Sequence, residues 1–276
     1  MAQKIQDTAN YSYADDLGGL ELLDASYHKQ RFSRHVHEGF CIGVIDNGAQ
    51  RFFREGSNHI APQDSIILVN ADQVHDGHCA SENGWSYRAI YPTLEMLTTL
   101  TDELQGPSSG APWFTEPVVY DPYMAQKLRQ LFDLLQHSDN TLERQSHYLN
   151  VIIELIQRHS GNGSYLPIID RLPKAISRVR EYIDNHVNEN ISLQQLAVLA
   201  ELNPHYLTRL FQRHAGLPPH AYQLMKRIQL AKKLMRLGVS LAEVAADTGF
   251  TDQSHLHRHF KKMMGITPGR YLKAIH

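Results

Sequence analysis

His35-Val36-His37 sets two imidazoles two positions apart, and His75-Asp76-Gly77-His78 follows 38 residues after the second. In a strand, side chains alternate with period two, so His35 and His37 point to one face. With Cys41, the set His35, His37 and His75 offers nitrogen and sulfur ligands of the kinds that a divalent ion such as zinc accepts. The same imidazoles equally suit a metal-free pocket for a small molecule, or satisfy one another inside the fold. Cys41 alone also reads as a small apolar core residue. Arg31 or Arg34 would pair a carboxylate bidentately, whereas Trp85 and Tyr87 suit a sugar; either arginine reads equally as a solvated edge charge. An amino acid, a sugar and an organic acid all stay open as ligands.

A second set of residues suits a polyanion. His205, Thr208, Arg209, Gln212 and Arg213 find counterparts in Gln253, Ser254, His257, Arg258 and Lys261. Side chains of these types bond to base edges and phosphates. Both sets lie in a segment that occurs twice. Ser192-Leu-Gln-Gln-Leu-Ala returns 48 positions later as Ser240-Leu-Ala-Glu-Val-Ala. After a one-residue insertion, Leu207, Arg209, Phe211, Gly216, Pro219 and Tyr222 return 49 positions on as Leu256, Arg258, Phe260, Gly265, Pro268 and Tyr271. Two copies mean a duplicated supersecondary unit and not a solenoid.

Each copy predicts two helices joined by a tight turn. Ser192 with Gln195, and Ser240 with Glu243, have the spacing of a capping box. Leu193, Leu196, Ala197 and Ala200 fall on one helical face. Asn203-Pro204 caps and opens the next helix, which carries Leu207, Leu210 and Phe211 inward and stops near Gly216. In the second copy Gly249 makes the turn, Asp252 takes the cap position, and Leu256 and Phe260 precede Gly265. Such a pair, with a polar outer face on its second helix, is a helix-turn-helix whose second helix enters the major groove. One copy reads equally as an ordinary helical hairpin; two with matched polar faces favour DNA.

The elements that must carry the histidines are of another kind. Ile42–Ile45, Gln50–Phe53, Ser65–Val69 and Tyr87–Tyr91 are β-rich runs, parted by turn chemistry at Asp46-Asn47-Gly48, Glu55-Gly56-Ser57-Asn58 and Asn83-Gly84. Short strands at this spacing predict a small barrel or sandwich. Residues 1–20 show no clear period and read as a loosely ordered lead; Leu104 to Pro117 reads as loop. Asp121-Pro122 opens a helix with Leu128, Leu131, Phe132 and Leu135 on one stripe. A second helix runs from about Thr141, at its cap, to His159, with Tyr148, Val151, Ile152, Leu155 and Ile156 on its apolar face. Ser160–Ser164 reads as a polar linker, and Leu172 to His186 as the helix that opens the next domain. The expected division is 1–160, a linker at 161–170, and 171–276 with helix-turn-helix units at 192–214 and 240–264.

At these residues the chain resembles a known family. The pattern Asn203-Pro204-x-Tyr206-Leu207-x-Arg209-x-Phe211, Gly216-x-x-Pro219, Arg227-Ile228-x-x-Ala231, Gly249-Phe250, Gln253-Ser254-His255-Leu256-x-Arg258-x-Phe260-Lys261 and Gly265-x-Thr267-Pro268-x-x-Tyr271 looks like the AraC/XylS transcription regulators. The resemblance implies a long helix, about Tyr222 to Leu237, joining the two units. It further implies base reading from His205, Thr208, Arg209, Gln253, Ser254 and Arg258, with packing or a phosphate contact for His255 and His259.

Residues 20–92 resemble the cupin barrel that binds effectors in such regulators. In metal-binding cupins a glutamate follows the histidine pair by four positions; Cys41 stands there. Asp72, three before His75, replaces the usual glycine. The carboxylate ligand of a catalytic iron or manganese cupin is therefore missing, which argues against an enzyme. The implied fold is a cupin-like β-barrel with following α-helices, then an all-α double helix-turn-helix domain. The implied partners are promoter DNA, a small-molecule effector, RNA polymerase, and a second copy through the stripe Leu128, Leu131 and Leu135. The expected function is a ligand-responsive, sequence-specific DNA-binding regulator. Its alternatives are a barrel that only dimerises, and a metal-dependent cupin enzyme fused to a DNA-binding domain.

Charge divides in the same place. Residues 1–170 carry 11 Lys and Arg against 22 Asp and Glu, and 171–276 carry 16 against 7. A basic domain behind an acidic one is the footprint of nucleic-acid binding at one end. The first twenty residues lack an apolar run and include Asp15 and Asp16, which predicts no secretory signal. No stretch approaches the roughly 18 apolar residues of a membrane span. Cys41 and Cys79 make no disulfide framework. The expectation is a soluble, cytoplasmic protein without a membrane partner.

Overall fold

The computed structural model describes residues 7–81, 83–105, 109–161 and 173–275, and its contacts divide the chain into two units. The N-terminal strands are β1 (Thr8–Ala14), β2 (Leu20–Tyr27), β3 (Arg31–His35), β4 (Cys41–Arg54), β5 (Ser57–Pro62), β6 (Ser65–Val69), β7 (His75–Cys79), β8 (Trp85–Tyr91) and β9 (Val118–Tyr120). Sheet order is β1-β2-β8-β4-β6-β9, with β5 and β7 also on β4, and β3 on β7. Helices α1 (Leu94–Gln105), α2 (Pro122–His137) and α3 (Thr141–His159) complete this unit.

Several expectations change here. The lead is not loose: β1 pairs along its whole length with β2, and Asp15–Leu17 is a 3-10 turn. The Asp46-Asn47-Gly48 signal is a bulge inside a single 14-residue strand. Gly48 adopts φ 72°, and an added Cβ there would strike the Gly84 carbonyl. A bulge bends a strand without ending it, so the two expected strands are one. Helix α1 and strand β9 lie where sequence periodicity gave no signal. Asn140, not Thr141, caps α3 by accepting from the Glu143 amide at 3.2 Å.

Alternation sorts the two faces of the sheet. Leu22, Ile42, Val44, Ile66, Leu68 and Ile90 pack in one core with α2 and α3. Leu128, Leu131 and Leu135 lie inside that core, so the stripe proposed for dimerisation is used up in monomer packing. A helix has one wide apolar stripe, and here the sheet covers it. On α3, Leu142 and Leu149 remain exposed. The opposite, inner face of the sheet carries Leu23, Ala25, Tyr27, Ile45, Val69, Tyr87 and Ala89, all buried.

The C-terminal unit is helical: α4 (Lys174–Asn185), α5 (Leu193–Ala200), α6 (Pro204–Ala215), α7 (Pro219–Arg236), α8 (Leu241–Asp247), α9 (Gln253–Met264) and α10 (Pro268–Ile275). Both capping boxes form with reciprocal bonds. Asn203 accepts from the His205 amide and Asp252 from the His255 amide. Gly249 turns at φ 73°, and a Cβ there would strike the Asn188 carbonyl. Leu193 is exposed, unlike Leu196, Ala197 and Ala200. The linker expected at 161–170 falls, beyond Gly161, outside the described residues. Phe260 is fully buried with its ring 5.4 Å from that of Tyr271. Phe260→Ala will cost roughly 3–5 kcal/mol, read by denaturant melts of the protein; an unchanged midpoint would show that the ring is not core.

Candidate DNA interface and effector pocket

Helices α6 and α9 bring each polar set onto one outer face. His205, Arg209, Gln212 and Arg213 are exposed on α6, and Gln253, Ser254, His257, Arg258 and Lys261 on α9. Leu207 and Phe211, and Leu256 and Phe260, are buried on the reverse sides. Thr208 is half-buried and donates from Oγ1 to the Pro204 carbonyl at 3.0 Å, so its hydroxyl proton is engaged within its own helix. His255 and His259 pack against Phe250, with centroids 5.3 and 6.3 Å away. Burial, then His255, Arg258 and Lys262, hold the His259 imidazole below its usual range. Packing thus accounts for it better than a phosphate contact.

Arg227 was visible only as part of the family pattern, yet it ties the two helix-turn-helix pairs together. From α7 its guanidinium donates to the carbonyls of Val187 at 2.9 Å, Glu189 at 2.8 Å and Gly249 at 2.6 Å. The first two lie just before the first helix-turn-helix, and the third is the turn of the second. Tyr222, also on α7, donates to Asp184 and accepts from Arg180. The long helix is therefore bonded on both sides.

Among the N-terminal strands, His35 ends β3, His75 opens β7, and His37 follows β3 by two residues. Their ring nitrogens lie within 4.8 Å of one another. His35 Nδ1 is 2.7 Å from the Ser33 carbonyl and His75 Nδ1 is 3.0 Å from the Gln73 carbonyl. A nitrogen facing a carbonyl must carry the proton, so Nε2 of each ring holds the lone pair. Asp72 adopts φ 59°, the left-handed conformation usual for the glycine it replaces, and its amide donates to the His37 carbonyl.

Cys41 does not join this group. It is buried, and burial, with Glu21 adding to it, pushes its thiol up to about 12. Arg31 and Arg34 are both exposed on β3; Arg34 alternates with buried His35, whereas Arg31 shares its face of the strand at the far end. Trp85 and Tyr87 do lie together on the inner face, against Tyr27, with centroids 5.2 and 6.2 Å away. Sequence reasoning missed Tyr91, whose ring is 4.9 Å from His37, and Tyr11, Tyr13 and Glu21. Tyr11 and Tyr13 sat in the supposed loose lead; the signal for them was the alternation of tyrosine in Tyr11-Ser12-Tyr13.

Comparison with known proteins joins these observations. Residues 17–152 match the AraC-like ligand binding domain and 196–274 a helix-turn-helix domain. The probable transcriptional regulator LumQ of Photobacterium leiognathi is 32% identical over 263 residues, covering 91% of this chain and 94% of LumQ. This chain belongs to the AraC family of transcription regulators. A XylDLEGF operon transcriptional activator of Pseudomonas putida is 26% identical over 93% of this chain and 82% of its own. Among solved structures, ToxT from Vibrio cholerae shares the fold at TM-score 0.62 and 14% identity, covering 94% of this chain and 97% of ToxT. As an AraC-family regulator, the protein joins a ligand-binding domain to a domain that binds DNA.

Arg209→Ala and Arg258→Ala will each weaken binding to a specific operator by about 1–3 kcal/mol and relax preference at one base pair. Equal loss on every DNA sequence in a competition assay would instead make that arginine a phosphate contact.

Proposed function

We propose that the inner face of the sheet unit holds the effector, and that its occupancy changes promoter reading by α6 and α9. The observation that carries this is the convergence of His37, His75 and Tyr91, whose rings lie against one another, beside Tyr87 on the inner side of the sheet. A barrel serving only to dimerise would have no use for such a polar aromatic cluster. In this reading the base contacts come from His205, Arg209, Gln253, Ser254 and Arg258, with Gln212, Arg213, His257 and Lys261 on phosphates. Ligand acts through differential affinity for two states of the protein.

The chain then works as a regulator and not as an enzyme, in the cytoplasm beside RNA polymerase. The protonated thiol at Cys41, where a metal-cupin carboxylate would stand, supports the first point. Among the described residues, no helix is long and apolar enough to cross a membrane. A homodimer would use the outward side of α3, where Leu142 and Leu149 are exposed.

The histidine group supports a second reading of the same region. Among the described residues, the fold family's metal would meet three imidazole nitrogens here, with neither carboxylate nor thiolate. Zinc accepts three histidines and leaves one position open, and the Ser33 and Gln73 carbonyls already set two of the tautomers. His35, His37 and His75 would hold it, and bound there it would act as a Lewis acid toward an effector oxygen or nitrogen.

A thermal-melt screen of amino acids, sugars and organic acids, each with zinc and with a chelator, tests both readings. A compound at 100 times its Kd adds about 2.7 kcal/mol to the state it binds. One compound class will raise the melting temperature and alter operator affinity. Zinc alone will do so in the parent and not in His75→Ala if the triad binds metal. No response to any compound, with DNA binding intact, would return the barrel to a purely dimerising role.

A further inference from the structure

The second recognition helix borders a cavity of about 410 Å³, within the roughly 300–1,000 Å³ typical of small-molecule sites. It forms where three helices begin: Leu241 opens α8, Gln253 opens α9 and Pro268 opens α10. The lining is divided by character. Leu256 and Pro268 are buried and Leu241 is half-buried, and together they make an apolar floor. Gln253, Ser254, His257 and Arg258 are exposed around it. The repeat accounts for the floor. Leu256 and Pro268 are the counterparts of Leu207 and Pro219, which are also buried, so these positions set how a recognition helix packs on the helix after it.

The charge at the cavity is positive. Among the described residues that line it, Arg258 alone carries a formal charge, and no carboxylate among the described residues pairs with it. The acids closest in sequence are committed to their own helix starts. Glu243 accepts from the Ser240 amide and hydroxyl, at 3.2 and 2.6 Å, and Asp252 accepts from the His255 amide at 2.7 Å. A free guanidinium beside an apolar floor suits a carboxylate on an apolar body: the fork takes both oxygens, and the floor takes the hydrocarbon. A sugar would leave the floor unmatched, and an organic cation would meet Arg258.

We propose that this cavity is a second small-molecule site, taking a monocarboxylate with a flat apolar body, and that its occupant competes with DNA. The competition follows from the lining, because Gln253, Ser254 and Arg258 are the side chains that α9 offers to base edges. The site stands apart from the effector reading of the inner face, and only the competition rests on the reading of α9 as a DNA contact.

Isothermal titration of the full-length protein without DNA tests it, with 2-naphthoate as the probe. The comparators are 2-naphthamide, which keeps the body and loses the charge, acetate, which keeps the charge and loses the body, and adenosine monophosphate, which stands for the nucleotides of DNA. Naphthoate will bind more tightly than all three. Arg258→Gln will weaken it by about tenfold or more, and Leu241→Phe, which fills the cavity from the floor, will weaken it further; a thermal melt of each variant checks its fold. Naphthoate will also lower the affinity of the parent protein for an operator duplex, and saturating duplex will remove the naphthoate signal. Tighter binding of adenosine monophosphate would make the cavity a nucleotide seat and overturn the carboxylate. Naphthoate binding that survives both variants and saturating duplex lies elsewhere in the protein and overturns the site. Binding that both variants weaken, with duplex affinity unmoved by naphthoate, overturns the competition and with it the reading of α9, leaving the inner face untouched. No naphthoate binding overturns the proposal outright.

Discussion

The sheet unit depends on one strand remaining unbroken through a bend. β4 gives its first half, Cys41 to Ile45, to β6 and β8, and its second half, Ala49 to Arg54, to β5 and β7. The register shift between Ile45 and Asn47 lets one backbone serve two sets of partners. Buried backbone groups must be paired, so ending the strand at Asp46 would leave one set without its edge. Gly48 makes the bend possible because its left-handed backbone passes close to Gly84, where no side chain fits. Everything on the inner face inherits its position from this strand and from its pairing with β8.

The C-terminal unit rests on a different constraint: two small helical pairs that cannot bury enough surface alone. They share α7. Met225, Ile228, Ala231 and Met235 are buried along it, and Arg227 reaches the carbonyls of Val187, Glu189 and Gly249, the first two of which also accept from Gln223. Half-buried Arg227 is held below its usual range by desolvation, yet a guanidinium with three carbonyl acceptors is well satisfied. The polar outer faces of α6 and α9 are thereby held by the same beam, which suits two recognition helices that read neighbouring segments of one DNA face.

Function divides along the charge of the chain. The basic residues of the second unit suit phosphate, and an acidic first unit keeps DNA from wrapping it. Within that acidic unit, the inner face gathers Glu21, a buried thiol and several phenols, with imidazoles at their edge. Histidine can serve there as metal ligand or as neutral hydrogen-bonding wall, and the carbonyls that fix His35 and His75 are compatible with either use.

The helix-turn-helix pairs were legible residue by residue, because capping, turning and the apolar stripe are local. Ser192, Asn203, Ser240, Gly249 and Asp252 act on neighbours within four positions, and each does in the structure what its spacing predicted. The histidine group was legible only in part: His35 and His37 were read as sharing a face by alternation in one strand, whereas β3 ends at His35 and His37 reaches the group from beyond it. Apart from small local shifts, such as the cap at Asn140 and the exposure of Leu193, the misreadings involve pairing across long separations. Asp46-Asn47-Gly48 has the chemistry of a turn, and only β6 and β8 on one side and β5 and β7 on the other make it a bulge. Residues 8–14 have no period strong enough to announce a strand, and become one because β2 offers an edge. Leu128, Leu131 and Leu135 form an apolar stripe in any setting; only the sheet beneath decides that it is core and not interface. By itself the sequence determined the local elements, the duplicated domain and the family. The tertiary structure alone decided which side chains from β1, β2, β4 and β8 share the inner face, because cross-strand register is a long-range property that no local pattern encodes.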